Sequence, residues 1–130
     1  MRVSPAAQTR QIQIQNDYDV VAMRQEVRQV ARDLGLGLSQ QAKIATAIST
    51  VARALIAANT SATMGIRTND TASRPALEIV CQLAVDQLLV DQTQLEELLQ
   101  FSEARALVDE ASLSLDDGGA VLILRMWLNR

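Results

Sequence analysis

Residues 11–37, QIQIQNDYDVVAMRQEVRQVARDLGLG, change their apolar spacing partway along, and that change decides the fold. Residues 8–15, QTRQIQIQ, alternate: Ile12 and Ile14 fall to one side, Gln11, Gln13 and Gln15 to the other. A strand with one buried face, near a sheet edge, is expected. From Asn16 or Asp17, either of which can cap a helix, the spacing becomes three and four. Val20, Met23, Val27, Val30, Ala31 and Leu34 then form one apolar stripe, with Asp19 adding negative charge near the helix start. Arg24, Arg28 and Arg32 lie four apart on the other side, and Gly35 and Gly37 stop the helix.

Working outward, Ser39 suits the cap of a second helix running to about Ala58, with Ile44, Ala47, Ile48, Val51, Ala52 and Leu55 on its inner face. Residues 59–62 are turn material. Residues 64–69 and 76–85 read as strands joined by DTASRP. The second, ALEIVCQLAV, is apolar on both faces at its centre, so it belongs inside the sheet. Asp91 with Gln94 forms a capping box for a third helix. Its stripe of Leu95, Leu98 and Leu99 continues through Leu107, Val108 and Ala111, with a break near Phe101–Ser102. SLSLDDGGAVLILRMWL is a hairpin pattern, and a turn explains DDGG at 116–119 better than a metal or phosphate loop does. The order predicts an α+β two-layer sandwich: a mixed, mostly antiparallel sheet with about three helices on one face. The other sheet face is left for solvent or a partner. One domain over residues 1–130 is expected, with 1–7 a loose lead-in and no internal repeat.

Composition narrows the chemistry. Hydrophobic residues make up 48% of the 130 and aromatics only 2%, so the core must be aliphatic and a stacking platform for single-stranded nucleic acid is missing. The net charge of −3 argues against a phosphate-backbone binder. Lys43 is the only lysine; the arginine bias suits planar contacts with carboxylates, and GC-rich coding accounts for it equally well. With no histidine, histidine bases and histidine metal sites are excluded. Cys81, the single cysteine, reads as a buried apolar residue. The N-terminus lacks a signal-peptide pattern, and no apolar run reaches the roughly 18 residues of a membrane span. A cytosolic domain is expected.

The segment YDVVAMRQEVRQVARDLGLGLSQQAKIATAISTVARALI resembles the GHKL ATPase superfamily, and more closely the serine-kinase switch proteins of bacterial partner-switching systems. The resemblance is carried by Asp19, Val20, Val21, Arg24, Gln25, Gly35 and Gly37, then by Ala42, Lys43, Ile44, Thr46, Ala47, Ile48, Ser49, Val51, Ala52 and Arg53. The stretch LVDEASLSLDDGGAVLILRMWL is similar in kind to the family's last helix and closing hairpin. The resemblance implies a Bergerat-like sandwich with a magnesium-nucleotide site. Its helical box carries a Glu and, four residues on, a metal-binding Asn; the aligned positions here are Thr50 and Ala54. A second box, D-x-G-x-G, supplies the adenine acceptor; Leu83 stands for its Asp and Val85 for its first Gly. The glycine-rich lid aligns with LVDQTQLEELLQFSEA, which has no glycine. Alanine has no oxygen for a hard cation, and threonine is a poor base.

These departures imply a degenerate member with no nucleotide cofactor: a non-enzymatic interaction module whose partner is a STAS-domain scaffold, a phosphatase, a sigma factor or a paralogous kinase. Arg24, Gln25, Arg28 and Arg32 are the candidate partner-binding residues, weighed against a solvated helix face. Glu96, Glu97, Glu103, Asp109 and Glu110 could include an acid–base pair, but their helical placement favours a solvated face. Two alternatives stand beside this reading: a structural homodimerisation subunit of a signalling assembly, and an active serine kinase with rearranged ligands acting on a STAS-domain partner.

Overall fold

The computed structural model describes residues 6–69, 74–84, 91–116 and 119–128. In chain order the elements are β1 (Ala6–Ile14), α1 (Asp17–Leu34), α2 (Leu38–Ala57), β2 (Ala62–Asn69), β3 (Ala76–Leu83), α3 (Gln92–Leu98), α4 (Phe101–Arg105), β4 (Glu110–Asp116) and β5 (Gly119–Trp127). The five strands form one sheet in the order β1-β2-β3-β5-β4. This is the expected α+β sandwich, with β1 at an edge and β3 inside. Every pairing is antiparallel, so the sheet is not mixed. The reason lies in the connection: α1 and α2 make two passes between β1 and β2, and a parallel neighbour needs a single crossover. Ala6 and Ala7, inside the expected lead-in, pair with Asn69 and Thr68, and the rest of that stretch lies outside the described residues.

Local chemistry sets the helix ends. The Asn16 side chain accepts from the Asp19 N–H at 3.2 Å, and the Asp19 carboxylate accepts from the Asn16 N–H at 3.1 Å and the Gln15 N–H at 2.8 Å. That reciprocal cap starts α1. It ends at Gly35, whose φ of +99° is a left-handed conformation that favours glycine. Helix α2 begins earlier than a Ser39 cap would allow. Gln40 explains this: its side-chain oxygen accepts from the Gly37 N–H at 3.2 Å while its nitrogen donates to the Trp127 carbonyl at 2.8 Å. Leu38 and Ser39 are therefore inside the helix.

The third helix departs further from expectation. Gln100 adopts φ +57° and divides it into α3 and α4. Helix α4 stops at Arg105, and the chain then joins β5: the Asp109 N–H donates to the Arg125 carbonyl at 3.0 Å, and the Trp127 N–H donates to the Asp109 carboxylate at 2.8 Å. Leu107 and Val108 lie in the turn, and Ala111 sits in β4. The outer edge of β4 is partly closed by Gln92, whose Nε2 donates to the Leu113 carbonyl at 3.0 Å.

The core is aliphatic, as the composition requires. Ile12, Ile14, Met64, Ile66, Leu77, Ile79, Cys81, Leu122, Leu124 and Met126 cover the inner sheet face. Helices α1 and α2 meet it through Met23, Val27, Ile44, Ile48, Val51 and Leu55, all buried in the same cluster. Each such side chain contributes about 1.5–3 kcal/mol by leaving water, before conformational entropy is charged against it. Among the described residues, no helix is long and apolar enough to cross a membrane.

Candidate functional site

Helix α2 buries one side and shows the other. Its inner residues Ile48, Val51, Ala52 and Leu55 are buried, while Thr50 and Ala54 are half-buried, one helical turn apart on the opposite side. There they help line an open groove of about 580 Å³ between α2 and the α3–α4 pair. Arg53, Ala57 and Ala58 share the α2 wall; Glu97, Leu98, Gln100 and Glu103 form the other. Gln100 stands at the bend between the two short helices, so its left-handed conformation shapes that wall.

The remaining sequence candidates separate. Leu83 points into the core and is buried beside its register partners Ala62 and Ala120. Thr50 and Ala54 therefore face a groove, whereas Leu83 fills the interior. Val85 lies outside the described residues. The glycine-free stretch that aligns with a nucleotide lid is, from residue 91 onward, the cap and body of α3 and α4. Ser49, one of the motif residues, is buried and donates its hydroxyl to the Ala45 carbonyl at 3.0 Å, so it faces no ligand.

Arg24 is half-buried and Gln25, Arg28 and Arg32 are exposed on the outer side of α1; none of the four lines the groove. Arg32 donates to Gln29 at 3.3 Å within its own helix. Of the five carboxylates proposed from sequence, Glu97 and Glu103 line the groove, and Glu96 accepts from Gln92 at 3.2 Å. Asp109 and Glu110 are not helical: they precede and open β4, next to a second cavity of about 400 Å³ that Arg105, Ser112, Ile123 and Arg125 also line. The five therefore do not converge on one point. Among the described residues, no group of three or more metal-ligating side chains comes together.

One cluster was not foreseen from the sequence. Glu78 lies on the outer face of β3, yet its side chain is only 2% exposed. Arg67 of β2 donates Nε–H to it at 2.6 Å, and Arg125 of β5 donates Nε–H at 2.7 Å. Arg125 also reaches Glu110 at 2.5 Å. Burial pushes the Glu78 carboxyl pKa up, but the two arginines, bonding to its charged form, bring it below the ordinary carboxylate value. The bond to Glu78 raises the Arg125 pKa, against a smaller opposing effect of burial. The strand register explains the cluster: Arg67 pairs with Glu78, Glu78 with Arg125, and Arg125 with Glu110. The signal available in the sequence was one charged residue near the centre of each of three apolar strands, MGIRTN, ALEIV and LILRMW. Cys81, on the other face of β3, is buried and its thiol pKa is pushed up to about 12 by that burial, which removes it as a nucleophile.

No protein-family model matches the chain. A stretch of 71 residues, 55% of the chain, is 35% identical to the serine/threonine-protein kinase RsbT of Bacillus subtilis (strain 168). The match covers 53% of that protein, so the chain spans about half the length of the curated relative it resembles. This similarity supports a relationship to the kinases that residues 19–53 resemble.

Proposed function

We propose that the chain is a non-catalytic protein-interaction domain of bacterial partner-switching signalling, a pseudokinase that has given up nucleotide binding. The observation that carries this reading is the chemistry of the α2 groove. Ala54 offers a methyl group where a magnesium ligand is needed, and Thr50 a hydroxyl where a carboxylate would act. Among the described residues, Arg53 is the only cation in the lining, against the carboxylates of Glu97 and Glu103. A triphosphate entering there meets like charge at short range, and among the described residues no glycine in the lining lets the backbone approach its oxygens. Leu83 in the core supports the same reading, since it supplies no acceptor for an adenine amino group. These residues do not fit a magnesium nucleotide.

The partner is then a protein of a switching system, such as a STAS-domain scaffold, a phosphatase, a sigma factor or a related kinase, docked on the outer side of α1 through Arg24, Gln25, Arg28 and Arg32. Titration calorimetry with Mg-ATP tests the loss of nucleotide binding: no heat is expected, and saturable binding with micromolar affinity would remove the pseudokinase reading.

The similarity to a protein named as a serine/threonine kinase favours a second reading, in which this chain also phosphorylates a protein. Transfer of labelled phosphate from ATP to a STAS-domain substrate would establish it, and none is expected.

A further inference from the structure

The α2 groove, ill suited to a nucleotide, has walls that suit a different occupant. Its α2 side presents small side chains at helical spacing, Thr50, Ala54 and Ala57, with Leu98 on the wall opposite. Arg53 stands on the α2 wall, and Glu97 and Glu103 stand on the other. The three charges share one groove, yet among the described residues none of them forms an ion pair. The walls are anchored independently of these charges: Leu95, Leu99, Phe101 and Ala104 fix α3 and α4 in the core, and Val51 and Leu55 fix α2. We infer that the groove is a docking site for a helix of a partner protein. That helix carries arginine or lysine where it meets Glu97 and Glu103, small apolar residues against the alanines, and a carboxylate toward Arg53.

Shape selects the class of occupant. A small molecule is retained where a pocket covers most of its surface, and an open groove of about 580 Å³ does not do that. A helix needs only a trough between two helical walls. From Thr50 to Ala58 the α2 axis advances about 12 Å, so the trough takes roughly two turns of a docked helix. Alanines at the contact let the two axes approach to about 8 Å, the short end of the usual range. Charge then selects the sequence. Two carboxylates against one guanidinium favour a basic segment and repel an acidic one. Arginine or lysine stems cover Leu98 while their heads reach the carboxylates. The whole chain carries a net charge of −3, so general attraction acts in the same direction as the site and has to be separated from it by experiment.

Such docking rests on the reading above, in which no nucleotide occupies the groove, and the two can fail separately. The probe is a fluorescein-labelled, alanine-based helical peptide of about sixteen residues, with two arginines one helical turn apart and a glutamate on the opposite side. Fluorescence anisotropy with the full chain at about 0.05 M salt should show saturable binding tighter than ~1 mM, and weaker binding overturns the inference. Glu97→Gln combined with Glu103→Gln should weaken it about fivefold, the loss expected for two exposed ion pairs. Asp17→Asn combined with Asp33→Asn removes the same charge from α1, outside the groove, and should leave the affinity within about twofold. Equal weakening by the two pairs, or none by the groove pair, overturns the inference. Ala57→Arg, at an exposed position of α2, should abolish binding in a chain whose circular dichroism matches the parent; retained binding overturns the inference. A scrambled peptide of the same composition that binds equally well does so too. Saturable Mg-ATP binding removes the pseudokinase reading whatever the peptide does. Failure of the peptide to bind a chain that also ignores Mg-ATP removes the docked helix alone.

Discussion

Strand β3 has two sides that do opposite work. Leu77, Ile79 and Cys81 face the helices and are almost fully buried among aliphatic neighbours. Glu78, between the first two, is just as inaccessible, but what covers it is a pair of arginines. The inner side gains by leaving water, a non-directional term that any well-fitting apolar residue would supply. The outer side holds a charge that is tolerable only while both hydrogen-bonding partners stay in register. Burial alone therefore does not distinguish cohesion from specification. The inner face stabilises the sandwich, whereas the outer face rewards one strand alignment over its neighbours.

Three substitutions on this strand break or sharpen the contrast. The largest effect belongs to the inner side. Ile79→Ala should cost about 2–5 kcal/mol in urea unfolding, because it removes buried methyl groups and leaves a cavity. Glu78→Gln should cost less, about 1–3 kcal/mol at neutral pH, since the two arginines are roughly one-third exposed and water can solvate them. Its signature is pH dependence. The folded-state pKa of Glu78 is lowered, so its stabilisation is fully present above the unfolded value of about 4.3 and is lost as pH falls through the folded value. Parent and Glu78→Gln stabilities should therefore converge in acid; a gap that persists unchanged below that range contradicts the ion-pair account. The smallest effect belongs to Gln82→Ala, an exposed position on the outer side of the same strand, where a change within about 0.5 kcal/mol is expected in the same urea experiment.

The contrast also explains what could be read from the sequence. The cap at Asn16, one of the two residues expected there, the α1 stripe and the stop at Gly35 are local rules, and they appear in the fold, with Asp19 completing the cap and not only adding charge. So do the interior position of β3 and the edge position of β1, because both follow from periodicity. What could not be read depended on partners distant in the chain. The start of α2 at Gly37 relies on Gln40 bridging to Trp127, 87 residues away. The end of the third helical run relies on Asp109 engaging β5, and apolar spacing through Ala111 gave no hint of it. The Glu78 cluster needed the register of β2, β3 and β5 together. At the candidate site, the side of α2 carrying Thr50 and Ala54 was readable from helical spacing. That Leu83 belongs to the core and not to the groove was not, since the distinction rests on tertiary placement.

The hydrogen bond from Gln92 to the Leu113 carbonyl has a consequence for how the sheet behaves in crowded solution. A sheet with two bare margins can recruit strands from both and propagate as a fibril. With one carbonyl of the β4 margin taken by a side chain of its own helix α3, a strand added there loses a bond that a strand added at the β1 margin keeps. A single amide thus biases edge-to-edge pairing toward the β1 margin, where growth ends at a pair.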